Sequence, residues 1–484
     1  MKKFYFIFLL LPFNLWAQEN LLDSLYGTNN GYTELLIDDG NKVKSTMLNA
    51  TIKLPNGKIL AVGTDVVARF TSNGILDTTF NSIGYKIHFQ KNFQKITSSN
   101  DGNYLVNSVQ SGISKIDEDG DFVTTFTTFN KSYTFSDIAL DSVGNIYILA
   151  HTQPSSGIVT VIIKLFPDGT QDLNYGTNGE LNLGVPYHYR TLKITAQNEF
   201  LLGGALINSA TNREIVVSKL DANGSFNSNY GNSGHFTYTG GQYVGDVNHI
   251  DVLSDGSVVG FSSGVLCSGN NCLGLILYKL KPNGTLDTTF YNGGIGVLPI
   301  QSTSTPSKIE RLADGSYIVV GTGLRTMYAL KIDSDGNLDQ NFGQNGLIMT
   351  PELSPVGYAA YCNSFELYGK SIVLIGMYSH PTIWSTYISV LRKYYFSEAS
   401  ASLPKQSNNI SLKLYPNPAS SFLQFESDQI INEYSVYNAS GKKILSKLNP
   451  TNNFINIETL AHGVYTIQFF SNQNHREIKR FIKK

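Results

Sequence analysis

The chain has 484 residues, a formal net charge of −1, 41% hydrophobic residues and 15% charged residues. That balance excludes a disordered chain and a broad basic surface for nucleic acid, and the length is enough for about two to four domains. With 44 Gly, 28 Tyr and 27 Phe but only 15 Pro, the composition points to many short strands joined by tight turns.

Lys2 and Lys3 precede an apolar run from Phe4 to Phe13, and Ala17 then leads into Gln18 and Glu19. A charged start, a short apolar stretch and a small residue at the exit make a secretory signal peptide over residues 1–17, cut between Ala17 and Gln18. The apolar run is too short for a membrane anchor, which needs about 20 residues. No later stretch is long enough to cross a bilayer as a helix. Export permits disulfides. Cys267 and Cys272 flank a Ser-Gly-Asn-Asn turn, where two readings stand: a bridge closing one hairpin loop, or two free loop thiols. Cys362 is left over and reads as a small buried hydrophobe.

From residue 69 onward one element recurs six times: an apolar strand ending in Lys or Arg, a turn, then an aromatic. The first copy is Arg69 to Phe80, and the others start at Lys115, Lys164, Lys219, Lys279 and Lys331. Their turn glycines, at 74, 120, 169, 224, 284 and 336, lie 46, 49, 55, 60 and 52 residues apart. Between them lies a second hairpin, turning at Asn56-Gly57, Asp101-Gly102, Gly144-Asn145, Gln197-Asn198, Asp255-Gly256, Asp314-Gly315 and near Gly369-Lys370. Such turns need positive φ, which Gly and Asn tolerate. Two hairpins per period give four strands, the unit of a β-propeller blade.

Seven first hairpins meet only six complete second ones. After the seventh, Tyr387 to Tyr394 reads as a third strand with no tail behind it. The missing tail stands near the other end of the chain. Leu22-Asp23-Ser24-Leu25-Tyr26-Gly27 matches Leu338-Asp339-Gln340-Asn341-Phe342-Gly343. The expectation is an all-β, seven-bladed propeller over residues 18–396, closed by N- and C-terminal strands sharing one blade. The copy ending at Phe126 is degenerate, which leaves six or eight blades as the alternatives.

The Asp-Gly-x-Leu-Asp-x-x-Phe-Gly-x-x-Gly pattern resembles the delta-60 β-propeller repeat of bacterial exported proteins. The resemblance implies architecture and no shared catalytic chemistry.

Residues 397–411 are rich in Ser, Ala and Asn and read as a linker. Residues 412–484 form a separate small β-sandwich, with strands expected at 434–438, 442–445, 454–457, 464–470 and 478–482. Its lead-in is Tyr415-Pro416-Asn417-Pro418, and its later motifs are Val436-Tyr437 with Gly441-Lys442, Leu460 with Gly463-Val464-Tyr465, and a basic end from Lys479 to Lys484. This resembles the type A C-terminal sorting domain of the type IX secretion system of Bacteroidetes. The resemblance implies delivery to the outer surface or the medium, with the outer-membrane translocon and a sortase-like protease as partners. Residues 405–484 carry ten Lys/Arg against five Asp/Glu, a balance of +5; with Lys2 and Lys3 set aside, the rest stands at −8. An acidic propeller disfavours a polyanionic ligand.

Candidate chemistry is sparse. Gly260-Phe261-Ser262-Ser263-Gly264 fits the serine-hydrolase pattern but lacks the strand–turn–helix setting that pattern requires. Asp333 to Asn337 and Asp117 to Asp121 look like calcium loops, yet they coincide with hairpin turns. The eight His are scattered, and Tyr187-His188-Tyr189 and Tyr238, Tyr243 and His249 form aromatic clusters suited to sugar stacking or to packing. Asp77-Thr78-Thr79, Asp287-Thr288-Thr289 and Asp141-Ser142-Val143 resemble O-glycosylation sites. No catalytic residue, cofactor site or metal site is assigned. The expected function is a non-enzymatic binding or adhesion module with a glycan or protein ligand. The rival readings are a propeller glycan lyase or hydrolase with its site at the central opening, and a structural filler of the cell envelope with no small ligand.

Overall fold

The computed structural model describes residues 21–38, 43–108, 112–152, 158–207, 213–238, 246–268, 271–291, 293–298, 305–323, 325–351, 360–380, 386–397, 412–427, 429–438, 443–448, 450, 452–471 and 476–484. Ala17, Gln18, Gly441 and nearly all of the expected linker lie outside these residues. The described secondary structure is antiparallel β-sheet without an α-helix. The chain divides into two compact units, Met1–Ser402 and Leu403–Lys484.

In the first unit, hairpin follows hairpin as the turn spacing predicts. Four four-stranded sheets follow one another along the chain. They begin with the strands Thr134–Leu140, Tyr187–Ile194, Asp246–Val252 and Thr305–Arg311. Upstream, a five-stranded sheet runs from Leu48–Lys53 to Gly112–Ile116, because the long strand Tyr85–Ser98 serves two neighbouring units. The fourth strand of the degenerate copy shrinks there to a single bridge, Ile113 to Phe129. The last sheet holds Ala360–Tyr368, Ser371–Ser379 and Tyr387–Tyr395, and its fourth strand is Tyr32–Leu35 from the N-terminal region. Tyr32 pairs with Arg392 and Leu35 with Ser389.

The repeated motif has a physical purpose at each end. In four of the six copies the Lys or Arg that closes the third strand meets the motif's acidic residue: Arg69 with Asp77 at 2.7 Å, Lys164 with Asp172 at 2.9 Å, Lys279 with Asp287 at 3.4 Å, and Lys331 with Asp339 at 2.9 Å; Lys115 and Lys219, whose copies have Val123 and Asn227 there, meet Asp101 and Glu199 instead. Lys393 makes the same pair with Asp23 at 3.0 Å, and the Asp23 amide donates to the Lys393 carbonyl as Asp339 does to Lys331. The motif aromatic then packs on the turn glycine of the following copy. A Cβ on Gly74, at φ 78°, would stand 2.3 Å from the Tyr26 ring, and one on Gly336 would stand 2.8 Å from Phe290. Glycine there satisfies both the turn and the ring above it.

The core lies in layers between successive sheets. Val259, Phe261 and Leu277 pack with Tyr317, Val319 and Leu330. Tyr26 and Leu35 pack with Ile59, Phe70, Val373 and Leu391.

The second unit has two sheets. One orders Leu412–Tyr415, Phe422–Ser427 and Phe454–Asn456; the other orders Lys443–Leu448, Ile431–Tyr437, Gly463–Ser471 and Arg476–Lys483. Leu423, Phe425, Tyr434, Val436, Ile467, Phe469 and Phe481 fill the space between them. Two strands here, Leu412–Tyr415 and Phe422–Ser427, were not among those expected from the sequence. Both are short and lie beside prolines, which blur the alternation that marks a strand.

Candidate functional site: the innermost strands and the tail motif

The first strand of each hairpin pair carries a bulge at one shared position. Register shifts fall between Leu48 and Ala50, Phe93 and Lys95, Tyr189 and Thr191, Val247 and His249, Pro306 and Lys308, and Cys362 and Ser364. In the sheet that starts at Thr134 the shift lies where Phe135 and Asp137 face Ala150 and Leu149. Neighbouring first strands contact one another, and bulge residues stitch them. Asn49 Nδ2 donates to the Phe93 carbonyl at 2.7 Å, and Asn363 Nδ2 to the Leu48 carbonyl at 2.8 Å. A bulge re-aims a side chain out of the pleat, which is how these amides reach the next sheet.

Two charged centres sit just past these bulges. In one, Lys95 Nζ donates to Asp137 Oδ1 at 2.7 Å, and the Leu192 amide donates to Oδ2 at 2.9 Å. Burial works to raise the Asp137 carboxyl, but the Lys95 and Lys193 ammoniums and these hydrogen bonds hold it below its ordinary value. His249, on the next first strand, is pulled down to about 3 by burial and then by the Lys193 ammonium, with Asp137 opposing. In the other centre, Lys308 Nζ donates to the Phe365 carbonyl at 2.7 Å and to Glu366 Oε1 at 3.2 Å. Thr51 Oγ1 donates to the same Glu366 oxygen at 2.6 Å and lies 2.8 Å from Ser364 Oγ. Burial raises the Glu310 pKa; Glu366 adds to the rise, while Lys308 and Lys53 oppose it.

The two centres share one register with the charges reversed. Asp137 takes the post-bulge place that Lys308 holds, and Lys193 takes the place of Glu366 two residues further on. None of these residues was singled out from the sequence except His249, which was read as part of an aromatic cluster. A signal was present: Lys95, Asp137, His249 and Lys308 each stand seven residues before a hairpin glycine, at 102, 144, 256 and 315.

The other sequence candidates fall into structural places. Ser262 is fully buried inside the strand Val258–Ser268, paired on both sides, so the hydrolase pattern meets no elbow. The Asp333 and Asp117 carboxylates accept amides of their own turns, from Asp335 and Asn337 and from Asp119 and Asp121. The Thr79 and Thr289 hydroxyls donate to Asp77 and Asp287. Tyr189 is fully buried with its hydroxyl 2.6 Å from Ser218 Oγ, and His151 Nε2 reaches the Tyr189 carbonyl at 2.5 Å. Tyr243 lies outside the described residues. Cys267 and Cys272 are direct partners in the register of one hairpin, their side chains lying outside the described residues. Cys362 is a buried free thiol.

In the tail, the lead-in motif closes the edge of the last strand. Asn417 Nδ2 donates to the Arg480 carbonyl and the Ile482 amide donates to Asn417 Oδ1, both at 2.9 Å. The peptide bonds before Pro416 and Pro418 are cis, which places Asn417 between them. The Ala419 amide continues the contact to the Ile482 carbonyl. Tyr415 donates to Glu426 at 2.7 Å, and Tyr465 stacks on Phe481 and donates to the Ala461 carbonyl. Leu460 is buried in the same core, and Gly463 opens the strand that carries Tyr465.

Sheets of paired hairpins, followed by a small sandwich whose first motif clasps its last strand, define an all-β protein of repeats with an appended tail domain. Residues 413–484 match the family described as secretion system C-terminal sorting domain, and residues 54–80 match the domain of unknown function DUF5122 beta-propeller. The chain therefore carries β-propeller repeats and a type IX sorting domain, and it is exported to the cell surface or the medium. No helix among the described residues is long and apolar enough to cross a membrane. No curated protein matches the chain. Among solved structures, PorZ, a surface component of the type IX secretion system of Porphyromonas gingivalis, is similar at 9% identity and a TM-score of 0.36, over 96% of this chain and 59% of that one. Virginiamycin B lyase of Staphylococcus aureus is similar at 12% identity and 0.41, over 75% of this chain and 99% of that one. The polysaccharide lyase Uly1 is similar at 8% identity and 0.41, over 75% and 94%.

Proposed function

We propose that the mature protein is a closed, seven-bladed propeller that acts as a non-enzymatic binding or adhesion module on or outside the cell. In this reading residues 1–17 are a signal peptide removed after Ala17, residues 18–396 the propeller, 397–411 a linker and 412–484 the sorting domain. The translocon reads that last domain and a sortase-like protease removes it. Closure is supported by Lys393 and Asp23, which repeat across the chain ends the pair that Lys331 and Asp339 make in sequence. The binding role rests on one observation: the carboxylates of Asp137 and Glu366 on the first strands are both taken up by protein donors. Such groups position neighbouring strands, and neither of these two carboxylates is free to act as a base. A glycan and protein-ligand array probed with the secreted mature protein tests the reading. Reproducible binding without product supports it, and turnover of any arrayed glycan overturns it.

A second reading, a lyase or hydrolase, draws on Glu310. Burial raises its pKa and the neighbouring Glu366 adds to the rise, and a carboxyl shifted upward is suited to the role of general acid. Product formation that Glu310→Gln abolishes is its test.

A further inference from the structure

The hairpin formed by Val258–Ser268 and Asn271–Leu280 reaches beyond the sheet that carries it. Its inner neighbour, Asp246–Val252, stops at the pair Asp246 to Ser263, and its outer neighbour, Ile295–Leu298, stops at Leu298 to Leu275. From Gly264 to Gly274 the two strands pair only with each other among the described residues. The next sheet has no such overhang: Thr305 pairs with Thr322, which itself ends the hairpin opposite Met327. A two-stranded ribbon without flanking strands is marginal in water. Its register is also weakly set here, because glycines face each other at Gly264 and Gly274 and the pairing shifts by one residue between Gly264 and Cys267.

We infer that Cys267 and Cys272 are joined by a disulfide that fixes the register of this projecting hairpin. The two are direct partners, and Ser268 and Asn271 form the last pair before a connection of two residues. In a hairpin with a two-residue loop, the pair flanking the loop exchanges both hydrogen bonds, so the pair behind it is a non-hydrogen-bonded one. Cα atoms at such a pair stand ~4.5 Å apart, inside the roughly 4.4–6.8 Å that a disulfide spans. The chain is exported, and thiols are oxidised outside the cytosol. The two thiols give up two protons and two electrons and form one S–S bond. A thiol–disulfide oxidoreductase of the export compartment takes the electrons: its disulfide is reduced to two thiols, by way of a mixed disulfide with one of the cysteines. Cys362 does not compete. It lies in another sheet, fully buried, with its thiol donating to the Ser364 carbonyl at 3.7 Å, and burial pushes that thiol up to about 12. So small a thiolate fraction withholds it from exchange. The inference needs export alone and stands whatever the repeats bind.

Thiol alkylation of the protein recovered after export and unfolded in guanidinium tests it. Without reductant only Cys362 takes the label, and the tryptic peptide 220–279, which holds both other cysteines, weighs two hydrogens less than its sequence mass. With reductant all three cysteines take the label. The double variant Cys267→Ser, Cys272→Ser, secreted in the same way, is cut by chymotrypsin between Gly264 and Gly274 about tenfold faster or more, because cleavage follows the open population of the hairpin. Three results overturn the bridge: label on Cys267 and Cys272 without reductant, a bond from either to Cys362, or a covalent dimer through these cysteines. A double variant cut no faster than the parent overturns the register-fixing role. The labelling is read on the parent chain, so it does not depend on how the variant folds.

Discussion

The two units deal with exposed strand edges in opposite ways. In the first, the sheet that ends the repeats borrows its fourth strand, Tyr32–Leu35, from the start of the chain. Each sheet there also buries its faces on its neighbours, so the load is shared over many similar joints. In the tail there is one core, and the outer edge of Arg476–Lys483 is closed by a side chain, Asn417. The opposite edge strand, Lys443–Leu448, is exposed along nearly its whole length. An unpaired edge invites association. The contrast teaches that a repeat unit hides its edge by recruiting a whole strand from far away, whereas a small sandwich does so with one side-chain amide and a single backbone bridge at Ala419.

The strongest way to break this contrast is to remove residues 21–35. That takes Leu21, Tyr26 and Leu35 out of the core and should cost the first unit about 5 kcal/mol or more. Urea unfolding and limited proteolysis read the loss; an unchanged midpoint would mean that the borrowed strand carries no load.

A second test uses acid. His151 is pulled down to about 4, first by burial and then by the neighbouring His188, against the Tyr189 hydrogen bond, with Arg190 adding to the fall. A depressed histidine contributes stability that is complete above its unfolded value near 6.5 and is lost as pH falls toward 4. Stability should therefore drop by on the order of 3 kcal/mol between those limits. His151→Gln should flatten that part of the profile, and a profile equally steep in the variant would assign the loss elsewhere.

The borrowed joint can then be weighed against one made in sequence. The Asp23 side chain is 9% exposed and that of Asp339 24%. Asp23→Ala should cost about 2 kcal/mol, because Lys393 is left partly buried without its charge partner, and Asp339→Ala about 1 kcal/mol. Equal losses in thermal melts would make the two joints equivalent.

The smallest effect is expected in the tail. Asn417→Ala removes two hydrogen bonds at a solvent-exposed edge, worth about 1 kcal/mol. Faster hydrogen exchange at the Ile482 amide, with exchange inside Gly463–Ser471 unchanged, is the expected result. Uniform acceleration would show that the clasp holds the whole sandwich.

The sequence by itself determined the strands, the turns and the order of the hairpins. Those depend on local backbone geometry: a glycine at positive φ, an Asp that caps its own turn, an apolar alternation of period two. It also marked out the tail, whose motifs lie within one short segment, but not the strands Leu412–Tyr415 and Phe422–Ser427 within it. Only the tertiary structure decided that Tyr26 rests on Gly74, that Thr51 reaches Glu366 across 315 residues, and that Asp137 and Lys193 mirror Lys308 and Glu366 with their charges exchanged. Those partners come from different repeats, and the sign of a charge is free to vary wherever its neighbour varies with it. A local pattern records the place of such a residue but not what it meets there.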